Sequence, residues 1–431
     1  MTSKPSAKPK ILMLAFACEP DEGSEPEVGW KWACTMAECC EVTVVTQSKN
    51  RPRIDRWSLE HPDAPGHAVR FYYLELGPVW RALKKQVPGG MYLYYALWQW
   101  KLRAHVAALL RNGDFDLIHH VTFASFRMPV FASGRPVVWG PVGGAETAMM
   151  PLLAGYGTFL GRQRERFRNF TTRIAGRCVR RWDPSHRTGG IALASTPATA
   201  RVLERADISC QLMPTIGFEI APHEANRESQ ATDAPLRLIF VGRLHLLKGL
   251  HLLLQAVATL EPGSVWLTIV GEGPERQRLK KLVDDLELQG RVEFRGFIPR
   301  NRLAGIYQEH DVMVAPSLYE SGGLSVLEGF SHGLPAIVLD CGGHALSVDE
   351  TCGWKIPIRP SQAAVVRDLA AAVAAYHSDR ATLIRHGANA RKKLQRAYAW
   401  ENKCLDMLAI YQSLIQNRMR VSSAPLPTAP P

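Results

Sequence analysis

Apolar positions in this chain come in short runs, and polar segments of helical period separate them. Residues 11–17 form an apolar run of strand length, followed by a loop of Gly, Pro and acids. Ser24 and Glu27 then stand at capping-box spacing ahead of a helix through Trp30, Trp32 and Met36. Residues 41–46, 116–120, 135–139, 190–194 and 212–214 predict further strands. The second half alternates more regularly. Strands at 236–241, 265–270, 292–297, 311–315 and 335–339 are separated by helices at 250–260, 275–286, 302–309 and 323–331. Such β-α alternation predicts a parallel sheet covered by helices, with ligands at the carboxyl ends of its strands. A later helix at 363–376 precedes a helical stretch, 381–416, long enough to return to the first half.

At 431 residues the chain exceeds one ordinary core. The expected division is an α/β domain over 1–222, a polar linker at 223–235 and a second α/β domain over 236–395. A returning helix at 396–420 and a disordered Ser/Pro/Ala-rich tail at 421–431 complete it. No repeat array is visible.

Formal charge is +12, which predicts an anionic partner: a nucleotide, a nucleic acid or a lipid surface. The nine cysteines are odd in number and include no CxxC pair, so reduced thiols are expected and structural zinc is not. The start of the chain does not read as a signal peptide, and no run is long enough to span a bilayer. A cytoplasmic protein, with the option of lying against a membrane, is the expectation.

Candidate chemistry sits at two strand-to-helix units. Arg243 and Lys248 flank the first, and a guanidinium fork with a mobile ammonium can neutralise a diphosphate; solvated cations at a turn are the plainer alternative. In the second, Glu320 stands at the strand exit and Glu328 two turns into the helix, with Gly322, Gly323 and Leu324 between. Glycine amides at a helix start suit an anion, although the same glycines also suit a tight turn. Glu328 lies beside Leu327 and Phe330, so it reads as a partly buried acceptor for hydroxyls or as half of an internal salt bridge.

These two segments, 242–249 and 320–328, resemble the diagnostic motifs of retaining nucleotide-sugar glycosyltransferases of family 4, which have the GT-B fold. The resemblance covers the whole C-terminal domain and, more loosely, the N-terminal half. It implies two Rossmann-like domains facing across a cleft, a nucleotide-diphosphate sugar as donor substrate and no metal or other cofactor. It implies that Arg243 and Lys248 bind the donor diphosphate, that Glu320 contacts the transferred sugar and that Glu328 contacts ribose hydroxyls. Gly322 and Gly323 would approach the phosphate and sugar, Phe297 and Ile298 would lie beside the base, and Gly29 would belong to an N-terminal loop facing the diphosphate. His119 and His120 point opposite ways at a strand exit, so at most one faces the cleft; the resemblance favours His120 as a catalytic residue, against a packing role for both. Two departures stand out. Gly322 occupies a position where an aromatic residue is usual, which opens the wall there, and His344 stands where proline is common.

Residues 141–146 form a Gly-rich loop in which Glu146 either positions an acceptor or is simply solvated. Glu19, Glu22 and Glu27 are similarly open, with Glu27 an acceptor-side candidate. Asp116 reads as a cap. Residues 161–187 carry nine arginines interleaved with aromatics, preceded by aromatic runs near Trp80 and Met91. This pattern fits an anionic membrane surface, or else a solvated basic face with its aromatics packed inward. Nothing resembles a nucleic-acid recognition element, so no nucleic acid is expected.

The expected function is transfer of a sugar to a glycan or polyisoprenyl-linked acceptor at the inner face of the cell membrane. The alternatives are a sugar-nucleotide epimerase or glycan phosphorylase on the same architecture, or a non-catalytic membrane scaffold.

Overall fold

The computed structural model describes residues 8–86, 90–128, 130, 134–220 and 234–423. Two parallel sheets organise them. The first contains β1 (Lys10–Ala15), β2 (Glu41–Gln47), β3 (Arg70–Leu74), β4 (Leu117–Thr122), β5 (Val137–Val142), β6 (Ile191–Ala194) and β7 (Cys210–Leu212). The second contains β8 (Leu236–Val241), β9 (Val265–Val270), β10 (Val292–Gly296), β11 (Val312–Ala315), β12 (Ala336–Leu339) and β13 (Gly353–Ile356). Strand orders are β3-β2-β1-β4-β5-β6-β7 and β10-β9-β8-β11-β12-β13, so each sheet reverses direction beside its first strand. That switch point is where a doubly wound sheet opens a crevice at its carboxyl edge.

The helices used below are α1 (Ser24–Ala37), α2 (Pro78–Gln86), α3 (Gly90–Asn112), α4 (Phe159–Trp182), α5 (Pro197–Glu204), α6 (Leu250–Ala258), α7 (Leu324–Ser331), α8 (Gln362–Ser378), α9 (Arg380–Tyr398) and α10 (Trp400–Ser423). They cover both faces of each sheet, and the strand sequences show it. In β1, Ile11, Met13 and Ala15 enter one core while Leu12 and Leu14 enter the other. In β8, Leu236, Leu238 and Phe240 face one core and Ile239 the opposite one. Strands buried on both faces lose polar alternation and read as continuous apolar runs.

Several expectations are corrected in detail. β3 and β13 are edge strands with mixed burial, and their patterns did not announce them. The late helical stretch is two helices broken at Ala399, and α10 runs through Ser423. The expected linker, apart from its last residues, and residues 424–431 of the tail lie outside the described residues. The capping box at Ser24 does not form. Gly23 (φ 68°) and Ser24 (φ 54°) turn the chain into α1 with no side-chain cap, and the Glu25 carboxylate instead accepts from the Phe123 amide.

The chain passes between domains twice, and the two passages touch. Phe218 N donates to Tyr398 O at 2.7 Å, and a side chain on Gly217 would run into the Trp400 ring. α10 then packs on α1 and β4 of the first domain. Tyr411 Oη lies 2.6 Å from His119 Nδ1, and Lys403 Nζ donates to Pro214 O.

Gly29 is not in a loop. It lies in the interior of α1, where a Cβ would stand 2.2 Å from the Ala17 carbonyl oxygen and 2.8 Å from Thr122 Cγ2. The helix can rest this close on β1 and β4 only without a side chain there. Gly29→Ala is therefore expected to cost about 2 kcal/mol or more of stability. A denaturant midpoint equal to that of the parent would show that α1 accommodates the methyl group.

Candidate functional site

The carboxyl edge of the second sheet brings three loops together. The loop after β8 ends in Lys248 and in Gly249, whose left-handed φ of 66° permits α6 to start against Pro316. The loop after β11 is stitched to it by Leu318 N donating to Leu247 O at 2.8 Å. The loop after β12 stacks backbone on backbone beneath, with Gly343 N donating to Glu320 O at 3.1 Å, and a Cβ on Gly342 would collide with that same oxygen. Glycine at 342 is thus required by the close approach.

Lys248 Nζ and Glu320 Oε2 meet at 2.6 Å on this platform, while Glu320 Oε1 accepts from Gly323 N at 3.3 Å. Burial alone raises the Glu320 carboxyl, but Lys248, His344 and the Gly323 amide hold it down to about 2. Glu320 is therefore a carboxylate at neutral pH. Gly323 (φ 69°) ends the turn and leads into α7 at Leu324. His344 is fully buried beneath that turn, with neither ring nitrogen hydrogen-bonded among the described residues, and a Cβ on Gly323 would stand 2.8 Å from its Cδ2. Burial pushes the His344 ring down to about 4, so it is neutral there. Arg243 projects from the loop after β8 as an exposed side chain.

About one turn along α7, Glu328 is largely buried. Its Oε1 lies 3.0 Å from Arg300 Nε, and its Oε2 accepts from Tyr307 Oη at 3.0 Å. Burial raises its carboxyl against the pull of Arg300 and Tyr307. Arg300 also reaches Glu27 of α1 at 3.6 Å, joining the two domains. Phe297, just past β10, is 74% exposed, and Ile298 packs partly against the core beside it. A pocket of about 240 Å³ opens between the domains here, lined by Ser24, Glu25 and Glu27 on one side and Arg300, Gly322 and Leu324 on the other.

The missing aromatic at 322 does not leave an open wall. A Cβ on Gly322 would stand 2.2 Å from Ile216 Cδ1, so a side chain from the first interdomain passage fills that space. His120 also departs from expectation. It is 1% exposed, its Nε2 is 3.0 Å from Tyr95 Oη and 3.1 Å from Gln99 Nε2, and burial together with His119 pushes it down to about 3. His119 is buried on the opposite face, between Gly140 O and Tyr411, and burial takes it to about 4. Both faces of β4 are covered, by α3 and by α10, so neither ring looks into an open cleft. Glu19 and Glu22 form ion pairs with Lys49 and Arg53. Asp116 accepts from Lys10 N. Tyr307, Arg300, Glu25 and Ile216 join the site without having been singled out in the sequence.

A second and larger cavity, about 1240 Å³, opens on the other side of the 141–146 loop. Glu146 lines it, nearly buried and accepting from Thr196 Oγ1. Several arginines of α4 and α5 line it too. α4 also exposes Phe159, Leu160, Phe167, Phe170 and Ile174, so these side chains do not pack inward. Val79 and Trp80 of α2 and Met91, Tyr92 and Leu93 of α3 are exposed as well. The Arg168 guanidinium lies 3.9 Å from the centre of the Tyr319 ring, a contact from α4 to the second domain. Among the described residues no helix is long and apolar enough to cross a membrane, and no group of three or more His, Cys, Asp or Glu side chains is placed to hold a metal ion.

The model for the family "Glycosyl transferases group 1" matches residues 223–393. Over 183 residues the chain is 31% identical to an uncharacterized glycosyltransferase of Methanocaldococcus jannaschii, covering 42% of this chain and 45% of that one. It is 33% identical over 210 residues to a D-inositol 3-phosphate glycosyltransferase of Corynebacterium urealyticum, covering 46% of this chain and 48% of that one. The matches thus span less than half the length of either relative. Likeness of fold extends further. Sucrose-phosphate synthase from Thermosynechococcus elongatus superposes with a TM-score of 0.64 at 20% identity, over 95% of this chain and all of that one. HepE of Anabaena in complex with UDP superposes with a TM-score of 0.54 at 16% identity, over 96% of this chain and all of that one. Residues 223–393 thus match the glycosyl transferases group 1 family, and the two-domain architecture that contains them is the GT-B fold.

Proposed function

We propose that the chain is a retaining glycosyltransferase that moves a sugar from a nucleotide-diphosphate sugar to a hydroxyl of a glycan or lipid-linked acceptor, in synthesis of a cell-surface polysaccharide or glycolipid. The observation that carries this reading is the partly buried Lys248–Glu320 pair at the switch-point edge, beside the Gly323 amide that opens the helix carrying Glu328. An ammonium and an amide here suit a diphosphate, and the two carboxylates suit hydroxyls on either side of it. The UDP bound to the HepE relative supports a uridine donor. Phe297 offers an exposed ring for the base, and Glu328 with Tyr307 faces the ribose.

In the reaction, the bond between the anomeric carbon and the diphosphate oxygen breaks while the acceptor oxygen bonds to the same face of that carbon. The acceptor proton passes to the departing phosphate oxygen. Lys248 and Arg243 neutralise charge as it builds on the diphosphate, in place of a metal. Glu320 orients the sugar and stabilises its developing positive charge. Closure of the domains about the paired passages at Phe218 and Tyr398 excludes water. The exposed aromatic and cationic side chains of α2, α3 and α4 suit the protein to the cytoplasmic face of an anionic membrane.

The test is transfer from labelled UDP-, GDP- and ADP-sugars into an extract containing membrane lipids. Label in an organic-soluble product, dependent on the intact protein, is expected. Water- or phosphate-dependent turnover without an acceptor would instead indicate a hydrolase or phosphorylase. Donor binding with no turnover on a broad acceptor set would indicate a scaffold.

A further inference from the structure

The larger cavity carries more positive charge than its own carboxylates balance. Arg173, Arg177 and Arg180 stand at i, i+4 and i+7 on α4, so they share one face of that helix. Arg201 and Arg205, at i and i+4, come from α5 and its carboxyl end. The two helices approach closely because Gly176 has no side chain: a Cβ there would already lie 3.3 Å from Val202 Cγ1. Lys355 adds a cation from the second domain.

Against these stand Glu146, Asp207 and Asp340. Asp207 pairs with Arg180 at 2.7 Å, and Asp340 lies 4.0 Å from Lys355. Arg173, Arg177, Arg201 and Arg205 make no ion pair among the described residues. Unpaired guanidiniums that converge on a cavity are matched to the planar oxygen pairs of phosphate.

The cavity's position gives this charge a purpose. Its far wall is Cys341 and Gly342, and Gly342 lies directly against the Glu320 backbone. Its near wall is Ala145 and Glu146, whose loop divides it from the smaller pocket beside Arg300 and Gly322. A ligand held by the arginines would therefore reach the sugar platform from the side opposite the nucleotide. On α4 the apolar stripe of Phe167, Phe170 and Ile174 is turned roughly 100° from the cavity-facing arginines. A hydrocarbon chain lying along that stripe would leave its charged end at the cavity.

We propose that the cavity between α4, α5 and the 340–342 loop binds the phosphate or diphosphate group of the acceptor, holding its sugar hydroxyl toward Glu320. This rests on the glycosyltransferase reading, and it narrows the acceptor to a phosphate-bearing one. The group can come from an isoprenyl diphosphate lipid or from a soluble sugar phosphate.

The test is calorimetric titration of inorganic diphosphate into the full chain with UDP at saturation, so that the Arg243–Lys248 side is already filled. The Arg177→Gln/Arg201→Gln variant, whose side chains are exposed and structurally dispensable, should bind diphosphate at least tenfold more weakly while its affinity for UDP stays within twofold. Arg177→Glu should abolish the diphosphate signal and leave the melting temperature unaltered. Equal diphosphate affinity in parent and double variant would overturn the assignment. If UDP does not bind the parent but diphosphate binds with the same arginine dependence, the donor reading fails while the phosphate site stands. Farnesyl diphosphate in phosphatidylcholine vesicles and glucose 6-phosphate in solution then separate the two sources. Arginine-dependent binding of either supports the proposal, and binding of neither overturns its assignment to an acceptor.

Discussion

Lys248→Ala is expected to lower turnover by about 100- to 1,000-fold, the usual consequence of removing one preorganised partner of a developing negative charge. The ammonium is fixed by its 2.6 Å contact with Glu320 and by a loop sewn to the next one through Leu318. Arg243 remains in the variant, but its exposed fork cannot substitute for a charge held at the sugar platform. The same substitution acts on stability. Glu320 titrates at about 2 rather than its ordinary 4.5, because Lys248, His344 and Gly323 overcome the effect of burial. A depressed carboxyl contributes stability above its unfolded pKa and loses it as pH falls through the folded value. The shift is of order 3 kcal/mol at neutral pH, lost between about pH 4.5 and 2. Removing Lys248 strands that carboxylate, so the variant should be destabilised by several kcal/mol and not merely inactive. Lys248→Ala/Glu320→Gln removes both charges and should recover most of the stability with none of the turnover. Turnover equal to the parent in Lys248→Ala would remove this platform from the chemistry.

The charged members of that platform were legible in the sequence because each stands in the loop that follows an apolar strand, where folding does not require a charge. What the sequence withheld was their pairing. Lys248 and Glu320 are separated by 72 positions and meet only because β8 and β11 are neighbours in the sheet. Tyr307, Arg300 and Ile216 were hidden for the same reason, since none is unusual within its own segment. The regular β-α alternation of the second half follows from strands buried on both faces. β3 and β13, at sheet edges, show the mixed burial that weakens any pattern. His119 and His120 show where strand alternation reaches its limit. Their opposite directions were predictable, but one face is covered by α10, a helix nearly 300 residues later. Gly29 was misread because a glycine in a helix interior and one in a ligand loop look alike until the neighbouring backbone is in place.

Glu328→Gln is expected to weaken binding of the nucleotide donor by about 10- to 100-fold, consistent with roughly 1.5–3 kcal/mol for a hydrogen bond to a charged group. The substitution preserves shape and one acceptor oxygen while removing the charge. In the free protein that charge is met by Arg300 and Tyr307, both of which a ribose must approach to reach Glu328. Stability should change little. Burial disfavours the ionised Glu328 carboxyl, so the neutral amide relieves that penalty, and Arg300 keeps solvent and Glu27 as partners. Tyr307→Phe should act in the same direction but more weakly, since it removes a hydroxyl that orients the carboxylate and leaves the charge. The decisive comparison is KM for the donor against turnover at saturation. A raised KM with turnover held within a few-fold places Glu328 at the nucleotide, remote from the bonds that change. Unaltered KM with turnover reduced by 100-fold would instead put the carboxylate beside the reacting carbon, and the nucleotide would then have to lie across α7 in the opposite sense.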